Sequence, residues 1–204
     1  MITIIDYGLG NIGAFSNVLK RLNVKYKLAT DYDSLKDSSK IILPGVGAFD
    51  FAMKKLNESG MRECLDDLVL EDKVPVLGVC VGMQMMADSS DEGFEAGLGW
   101  IKGAIRKIDV TLLDHKPTVP HMGWNQAIPE SNELLFKNID IDQGFYFLHS
   151  YYFDVENRKN TMSTTYYGKA FSSAVVSNNI FGVQFHPEKS LNNGVQLLKN
   201  FVEA

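Results

Sequence analysis

The sequence predicts an α/β fold: a layered domain with a central mixed, mostly parallel sheet flanked by helices. Strand-like and helix-like patterns alternate over residues 2–87, as they do where helices cover a parallel sheet. From residue 97 to about residue 177, short strand patterns follow one another between turn residues, which favours a mixed sheet. Neither a repeat nor a linker interrupts the chain, so we expect one domain over 1–204.

Each element follows from local patterns. Short apolar runs that end at Gly, Pro or Asn predict strands, and apolar residues repeated every three or four positions predict helices. After the first glycine-rich turn, for example, Phe15, Val18 and Leu19 fall on one helical face. The predicted elements are, in order, a strand at 2–6, a helix through 15–22, strands at 24–29 and 40–43, helices at 48–57 and 61–70, a strand at 74–79, a helix at 83–87, the short strands, and a helix at about 193–203.

A cysteine lies between two glycines in G-V-C-V-G at residues 78–82. This G-x-nucleophile-x-G pattern is typical of a strand-to-helix elbow, where a strained and crowded backbone needs small neighbours. Cys80 would cap a helix N-terminus there, and the helix dipole and free N–H groups favour a thiolate. A lone cysteine is more often a buried structural residue, so a nearby base has to support the prediction.

Such a base stands near the end of the chain, in F-G-V-Q-F-H-P-E at 181–188. Alternating apolar residues predict a strand that leads to His186. Glu188 follows two positions later, and in extended backbone those two side chains point to the same side. Pro187 biases His186 toward extended geometry, so the carboxylate could hold one imidazole nitrogen while the other faces the thiol. Cys80, His186 and Glu188 therefore predict nucleophilic acyl chemistry.

Composition narrows the class of protein. No apolar run approaches a membrane span, and the net charge of −5 argues against nucleic acid as a partner. Asp6 interrupts the apolar run at the N-terminus, so we expect no signal peptide. Cys64 and Cys80 do not suggest a disulfide framework, and a thiol nucleophile needs reducing surroundings; we therefore expect a cytoplasmic protein. Cys64 shares a helical face with Leu68 and is expected in the core.

These motifs resemble the class I (triad) glutamine amidotransferases. Within that class, the sequence is similar to the glutaminase subunits of imidazole glycerol phosphate synthases. The resemblance covers nearly the whole chain, and its segments run in the family's order. They are D-Y-G-L-G-N (6–11), L-P-G-V-G-A-F (43–49), G-V-C-V-G-M-Q (78–84), G-L-G-W-I (97–101), P-H-M-G-W-N (120–125), F-Y-F-L-H-S-Y (145–151) and Q-F-H-P-E-K-S (184–190).

The resemblance implies that glutamine is hydrolysed through a thioester on Cys80, with His186 as acid and base and Glu188 as its orienting group. Attack on the carboxamide creates an oxyanion, which needs two preorganised N–H donors. The elbow itself predicts one donor from Val81 at the helix start. The resemblance adds Val46 in the P-G-V-G loop, although a plain tight turn would need the same glycines.

The resemblance further implies a glutamine-binding set and a partner surface. Glutamine would be held by Gly47, Gln84, Glu92, Ser150 and Tyr151. A synthase (cyclase) subunit of (β/α)8-barrel type would form a heterodimer with the chain through Asn11, His121, Trp124 and Lys189. Gln84 lies four residues past Cys80 and so on the same helix face, but it could equally be solvated, and Trp124 could be packed inside. Neither a cofactor nor a metal is implied.

Two alternatives remain open. Paralogues of this subunit look alike, and some supply ammonia for acetamidino-sugar synthesis in surface polysaccharide; the unusual stretch at 13–15 leaves the acceptor undecided. A different class is suggested by Gly8-x-Gly10-x-x-Gly13, a formal dinucleotide fingerprint between a strand and a helix. Asp31 would then be the ribose-binding acid. That module would be non-catalytic, and titration with NAD(H) separates it from a glutaminase.

Overall fold

The structure is a computed structural model that describes residues 1–112, 118–130 and 134–204. Its helices and strands follow in the order β1 (Ile2–Ile5), α1 (Ile12–Arg21), β2 (Tyr26–Ala29), α2 (Tyr32–Leu35), β3 (Ile41–Gly45), α3 (Phe49–Glu58), α4 (Arg62–Asp66), β4 (Val76–Cys80), α5 (Val81–Gln84), β5 (Ser89–Ser90), β6 (Gly103–Lys107), β7 (His121–Asn125), β8 (Ile128–Pro129), β9 (Phe145–His149), β10 (Tyr151–Val155), β11 (Thr161–Tyr167), β12 (Lys169–Ser177), β13 (Ile180–Val183) and α6 (Leu191–Glu203).

The strands of the described ranges form one large mixed sheet, and β7 pairs with β9 in a separate ribbon. The order across the large sheet is β2-β1-β3-β4-β13-β12-β10-β6-β5, with β11 pairing to β12 and β8. From β2 to β13 every neighbouring pair is parallel, whereas β12 and β10 run antiparallel to their neighbours. The predicted mixed sheet is confirmed, and its parallel half comes from the alternating first half of the sequence and β13.

Burial explains why these segments form the centre of the sheet. The strands β1, β3, β4 and β13 are buried along their whole length, as expected of apolar runs in a sheet covered on both faces. Phe15 and Leu19 of α1, and Leu198 and Phe201 of α6, have no appreciable exposure. Each such side chain stabilises the fold by roughly 1.5–3 kcal/mol. None of the described helices is long and apolar enough to cross a membrane.

The structure adds details that periodicity missed. Helix α2 has only four residues, too few for an apolar period, and a capping box starts it: the Asp31 carboxylate accepts from Ser34 N at 2.8 Å. The helix expected over 61–70 changes after α4 into a π-helical turn, Asp67–Glu71. The helix expected at 83–87 ends earlier, as α5, because the N–H of Ala87 turns back to Gln84 O in a tighter turn.

Candidate active site

Cys80 occupies a strained elbow between β4 and α5. It is the N-cap residue of α5, and its φ of 55° and ψ of −114° lie in a region that non-glycine residues rarely adopt. The flanking glycines allow the close approach: a Cβ on Gly78 would lie 2.7 Å from Gly82 O, and a Cβ on Gly82 would collide with Leu43 O. The predicted strand-to-helix elbow is confirmed, and small neighbours are a steric requirement there.

Three adjacent parallel strands bring the predicted catalytic segments together. In the sheet order β3-β4-β13, Gly45 pairs in register with Cys80, and Val79 pairs with Val183. The three parallel strands therefore end at the same side of the sheet, and α/β proteins place their ligand sites outside these carboxyl ends. Val46 begins the loop beside the elbow, and His186 follows three residues after the end of β13.

His186 and Glu188 are in direct contact. His186 Nδ1 lies 2.8 Å from Glu188 Oε1, and the two side chains are 4% and 2% exposed. His186 is extended, as expected, but the extended backbone expected to continue to Glu188 is wrong. Residues Pro187–Lys189 form a 3₁₀ turn with proline at its first position. The tight turn, rather than a strand's two-residue repeat, brings the carboxylate under the imidazole. Glu188 Oε2 is buried and accepts no hydrogen bond from the residues that the structure describes.

The surroundings of His186 favour its protonated form. Burial alone would lower the pKa of His186, but the interaction with the nearby Cys80 and the hydrogen bond to Glu188, with the charges of both groups, outweigh it and raise the pKa to about 10. Because Nδ1 is engaged by Glu188, Nε2 is the nitrogen left for the thiol. Gln184 Nε2 also lies 3.8 Å from Cys80 Sγ. At neutral pH these surroundings favour an imidazolium at His186, beside the Cys80 sulfur.

A cavity of about 260 Å³ opens over Cys80 and His186. All five residues expected to hold glutamine line it, together with both expected oxyanion donors. Its walls include Val46, Gly47, Cys80, Val81, Gln84, Glu92, His149, Ser150, Tyr151, His186 and Lys189. The structure thus brings together every residue of the predicted triad, oxyanion hole and substrate site.

Several of these residues are held by contacts of their own. Gln84 is buried rather than solvated, and its Nε2 donates to Tyr151 O at 3.1 Å and to Gln184 Oε1 at 3.0 Å. Glu92 Oε2 accepts the Phe49 N–H at 2.8 Å. Val46 is 38% exposed on the loop after β3, and Gly47 beside it has φ +88°, a conformation that favours glycine.

The residues expected at a partner surface divide into two groups. Asn11 and Lys189 are exposed, and Trp124 is 47% exposed on β7, not packed inside. His121, in contrast, is only 3% exposed, and its imidazole stacks between Phe147 and Tyr167, so its side chain lies inside and not at the surface. Burial lowers the pKa of His121 to about 4. Its Nδ1 lies 2.9 Å from Nε2 of the buried His149, so this histidine supports the β7–β9 ribbon from inside.

Sequence reasoning missed Tyr7 and Gln184. The buried Tyr7 hydroxyl donates to Pro44 O at 2.8 Å, directly before the loop that carries Val46. Burial, with the nearby Cys80, raises the pKa of Tyr7, so its hydroxyl keeps its proton. Gln184 stands two positions before His186 in a strand-like pattern, and that spacing was an available signal. Nothing local in the sequence placed Tyr7 beside Pro44, which is 37 residues away.

The dinucleotide fingerprint has a structural explanation. Gly10 lies against Pro44 of β3, and a Cβ on Gly10 would come within 2.7 Å of Pro44 Cβ. Gly13 lies inside α1. The proposed ribose-binding Asp31 uses its carboxylate to cap α2. Gly10 therefore serves packing and Asp31 serves capping, so these two residues of the motif have a use without a nucleotide.

Comparison with known proteins agrees with this geometry. Residues 3–204 match the family of class I glutamine amidotransferases. The imidazole glycerol phosphate synthase subunit HisH of Bdellovibrio bacteriovorus is 54% identical to this chain, and the alignment covers all of both chains. The subunit of that name from Leptospira borgpetersenii is 49% identical over 98% of both chains.

A solved glutamine amidotransferase structure has the same fold. It superposes with a TM-score of 0.73 at 17% identity, over 99% of this chain and 97% of the other. The chain belongs to the class I glutamine amidotransferases and, within them, to the family of HisH subunits of imidazole glycerol phosphate synthase.

Proposed function

We propose that this chain, acting as one domain over 1–204, hydrolyses glutamine through a thioester on Cys80 and delivers the ammonia to a cyclase subunit. The observation that carries the proposal is the buried contact of His186 with Glu188 beside Cys80, at the floor of one cavity. This arrangement has the nucleophile, the acid–base group and the orienting carboxylate in their required order. A reducing cytoplasm would keep the thiol available.

The first half of the reaction forms the thioester. Cys80 Sγ attacks the carboxamide carbon of glutamine, and the carbonyl oxygen becomes an oxyanion. The N–H groups of Val81 and Val46 are the proposed donors to that oxyanion. When the intermediate collapses, the C–N bond breaks and the leaving nitrogen takes the proton of His186 Nε2. The proton delivered is the one that His186 takes from the Cys80 thiol, and the surroundings of His186 favour holding it until the leaving nitrogen accepts it.

The second half regenerates the enzyme. The neutral His186 takes a proton from a water molecule, and the resulting hydroxide attacks the thioester carbon. The C–S bond breaks, glutamate leaves and the thiolate is paired again with the imidazolium. Glu188 keeps the ring oriented through both halves by its 2.8 Å contact with Nδ1. One glutamine and one water are consumed, and one glutamate and one ammonia are formed.

The cavity walls supply the proposed substrate contacts. The carboxylate of Glu92 is the group suited to the α-ammonium of glutamine, and the backbone around Gly47, Ser150 and Tyr151 offers hydrogen bonds to its polar atoms. Gln84 supports this wall from inside, since it donates to Tyr151 O.

The proposed partner is a cyclase subunit of (β/α)8-barrel type, in a heterodimer. Lys189 lines the cavity and also reaches the surface, with its Nζ 5.9 Å from the Tyr146 ring centre. Trp124 is an exposed aromatic residue of the type enriched at interfaces, and Asn11 is exposed on the loop after β1. Ammonia would pass across this surface to the cyclase, which makes imidazole glycerol phosphate and aminoimidazole carboxamide ribotide.

A nucleophile variant tests the proposal. Cys80→Ala should abolish glutamine-dependent synthesis by the assembled enzyme but leave synthesis from ammonium salts, because the acceptor site lies on the partner. The matched control is Cys64→Ala, a buried cysteine far from this chemistry, which should keep both activities. Glutaminase activity retained by Cys80→Ala would contradict the assignment of Cys80 as the nucleophile. Failure of the wild type with the histidine-pathway acceptor would instead point to the acetamidino-sugar paralogue.

A further inference from the structure

Hydrogen bonds to two carboxylates, Asp50 and Glu92, join the loop at 91–96 to the start of α3, and each carboxylate accepts from the other segment. From α3, Asp50 accepts hydrogen bonds from the N–H groups of Phe94 at 2.9 Å and Glu95 at 3.0 Å. From the loop, Glu92 accepts the N–H of Phe49 at 2.8 Å. Each segment thus satisfies backbone donors of the other, and we call these three hydrogen bonds the clasp.

The clasp lies next to the substrate cavity. Glu92 lines that cavity, and Phe49 follows Gly47, another lining residue, by only two positions. One oxygen of Glu92 is committed to Phe49, which leaves Oε1 as the atom that can face a ligand. A free glutamate side chain loses considerable rotamer freedom when it is fixed. Because the hydrogen bonds of the clasp already fix the loop and Glu92 in the free protein, this entropy is not lost again when glutamine binds.

Gly93 shows how closely the loop fits Asp50. A Cβ built on Gly93 would collide with both oxygens of the Asp50 carboxylate. The position therefore tolerates no side chain while Asp50 holds the loop. The two backbone hydrogen bonds, Phe94 first, also lower the pKa of Asp50, as expected of a carboxylate used as an acceptor. A second link, Lys54 to Glu95, is longer at 3.8 Å and largely exposed, so it contributes little.

We propose that Asp50 is a positioning residue for substrate recognition: through the loop it holds the Glu92 carboxylate where the α-ammonium of glutamine binds. The inference rests on the proposed function, because it presumes that glutamine occupies this cavity. Asp50 touches neither substrate nor thiol. If Asp50 only stabilised the first turn of α3, its loss would change thermal stability and leave substrate selectivity unchanged.

The test compares two reagents that alkylate Cys80 of the full chain. One, 6-diazo-5-oxo-L-norleucine, carries the α-amino acid group of glutamine, and the other, iodoacetamide, does not. The ratio of their alkylation rates measures recognition of that group, independently of thiol reactivity. Asp50→Ala should lower the ratio about tenfold, as expected for one misplaced charge-assisted hydrogen bond. Lys54→Ala is the matched control from the same helix and should leave it unchanged.

Gly93→Ala provides a second route to the same change, since the new methyl group displaces the Asp50 carboxylate, the movable end of a side chain. It should lower the ratio about as much as Asp50→Ala, and the double variant should fall no further than either single variant. Asp50→Asn, which keeps the size of the side chain, should give an intermediate ratio and guards against misfolding.

A wild-type ratio in Asp50→Ala would overturn the proposal, and so would multiplicative losses in the double variant. If wild-type Cys80 reacts with iodoacetamide but shows no preference for the glutamine-like reagent, the proposed function itself fails and the clasp fails with it. If wild type shows that preference and Asp50→Ala keeps it, only the clasp is wrong.

Discussion

Replacing Glu188 by glutamine tests how the buried carboxylate supports catalysis. The substitution keeps the shape of the side chain and removes its charge. Because Oε2 has no hydrogen bond from any described residue, the change affects one described contact, the 2.8 Å contact to His186 Nδ1. The new amide group can donate to Nδ1, which would hold the imidazole in the wrong tautomer. The fold should therefore persist while glutamine turnover falls.

The size of the loss follows from the electrostatics of His186. A pKa of about 10, compared with the ordinary value of about 6.5, corresponds to about 5 kcal/mol in favour of the imidazolium. Cys80 and Glu188 supply this preference against the cost of burial. Loss of the one charge-assisted hydrogen bond that Glu188 makes costs about 2 kcal/mol, or about 30-fold in kcat/KM. This is less than the roughly 10⁴-fold loss in kcat of the corresponding change in a serine triad, because a cysteine is intrinsically more nucleophilic than a serine and depends less on its base.

The assay is the pH dependence of kcat/KM for glutamine in the assembled enzyme. In the wild type the activity should fall on the basic side near pH 10, as His186 loses its proton. In Glu188→Gln that fall should begin about one to two pH units lower. Wild-type rates in the variant, or an unchanged basic limb with a reduced rate, would show that Glu188 is not what keeps His186 protonated.

Three further predictions concern the surroundings of this site. Tyr7→Phe removes the hydrogen bond to Pro44 O and should cost about 1 kcal/mol in the free energy of unfolding, with a few-fold lower kcat; an unchanged kcat would separate Tyr7 from the oxyanion loop. Val46→Pro removes the N–H proposed to bind the oxyanion and should lower kcat of the assembled enzyme about 10²-fold or more, measured as glutamate release. The pKa of His186 is higher in the folded protein than in the unfolded chain, so its protonation stabilises the fold fully below pH 6.5, and this stabilisation is lost as the pH rises through about 10. The free energies of unfolding of wild type and His186→Gln, measured with urea, should therefore converge over that range.

Local sequence patterns predicted much of the fold. The apolar runs that became β1, β3 and β4 are strong signals because strands buried on both faces need no polar alternation. The Cys80 elbow was predictable because the crowding of its backbone leaves only glycine possible at positions 78 and 82. In contrast, α2 depends on a single capping box, and a four-residue helix has no period to detect.

The limits of sequence reasoning at the site have a common physical cause. Tyr7 and Pro44 meet only after β1 and β3 pair, and no local pattern reports such a contact. His121 was expected outside because its segment resembles a contact surface, but in a strand alternate residues face opposite sides, so His121 turns inward. Its exposed strand neighbour Met122 faces outward.

The thioester mechanism is tested most directly by the covalent state of Cys80 during turnover. The assembled enzyme is mixed with glutamine, quenched in acid after milliseconds to seconds, digested and analysed by mass spectrometry. The thioester mechanism predicts a glutamyl group on the peptide that carries Cys80 in the wild type, and no such group in Cys80→Ala. Turnover of glutamine by the wild type with the glutamyl group on another residue, or turnover retained by Cys80→Ala, would contradict the thioester mechanism.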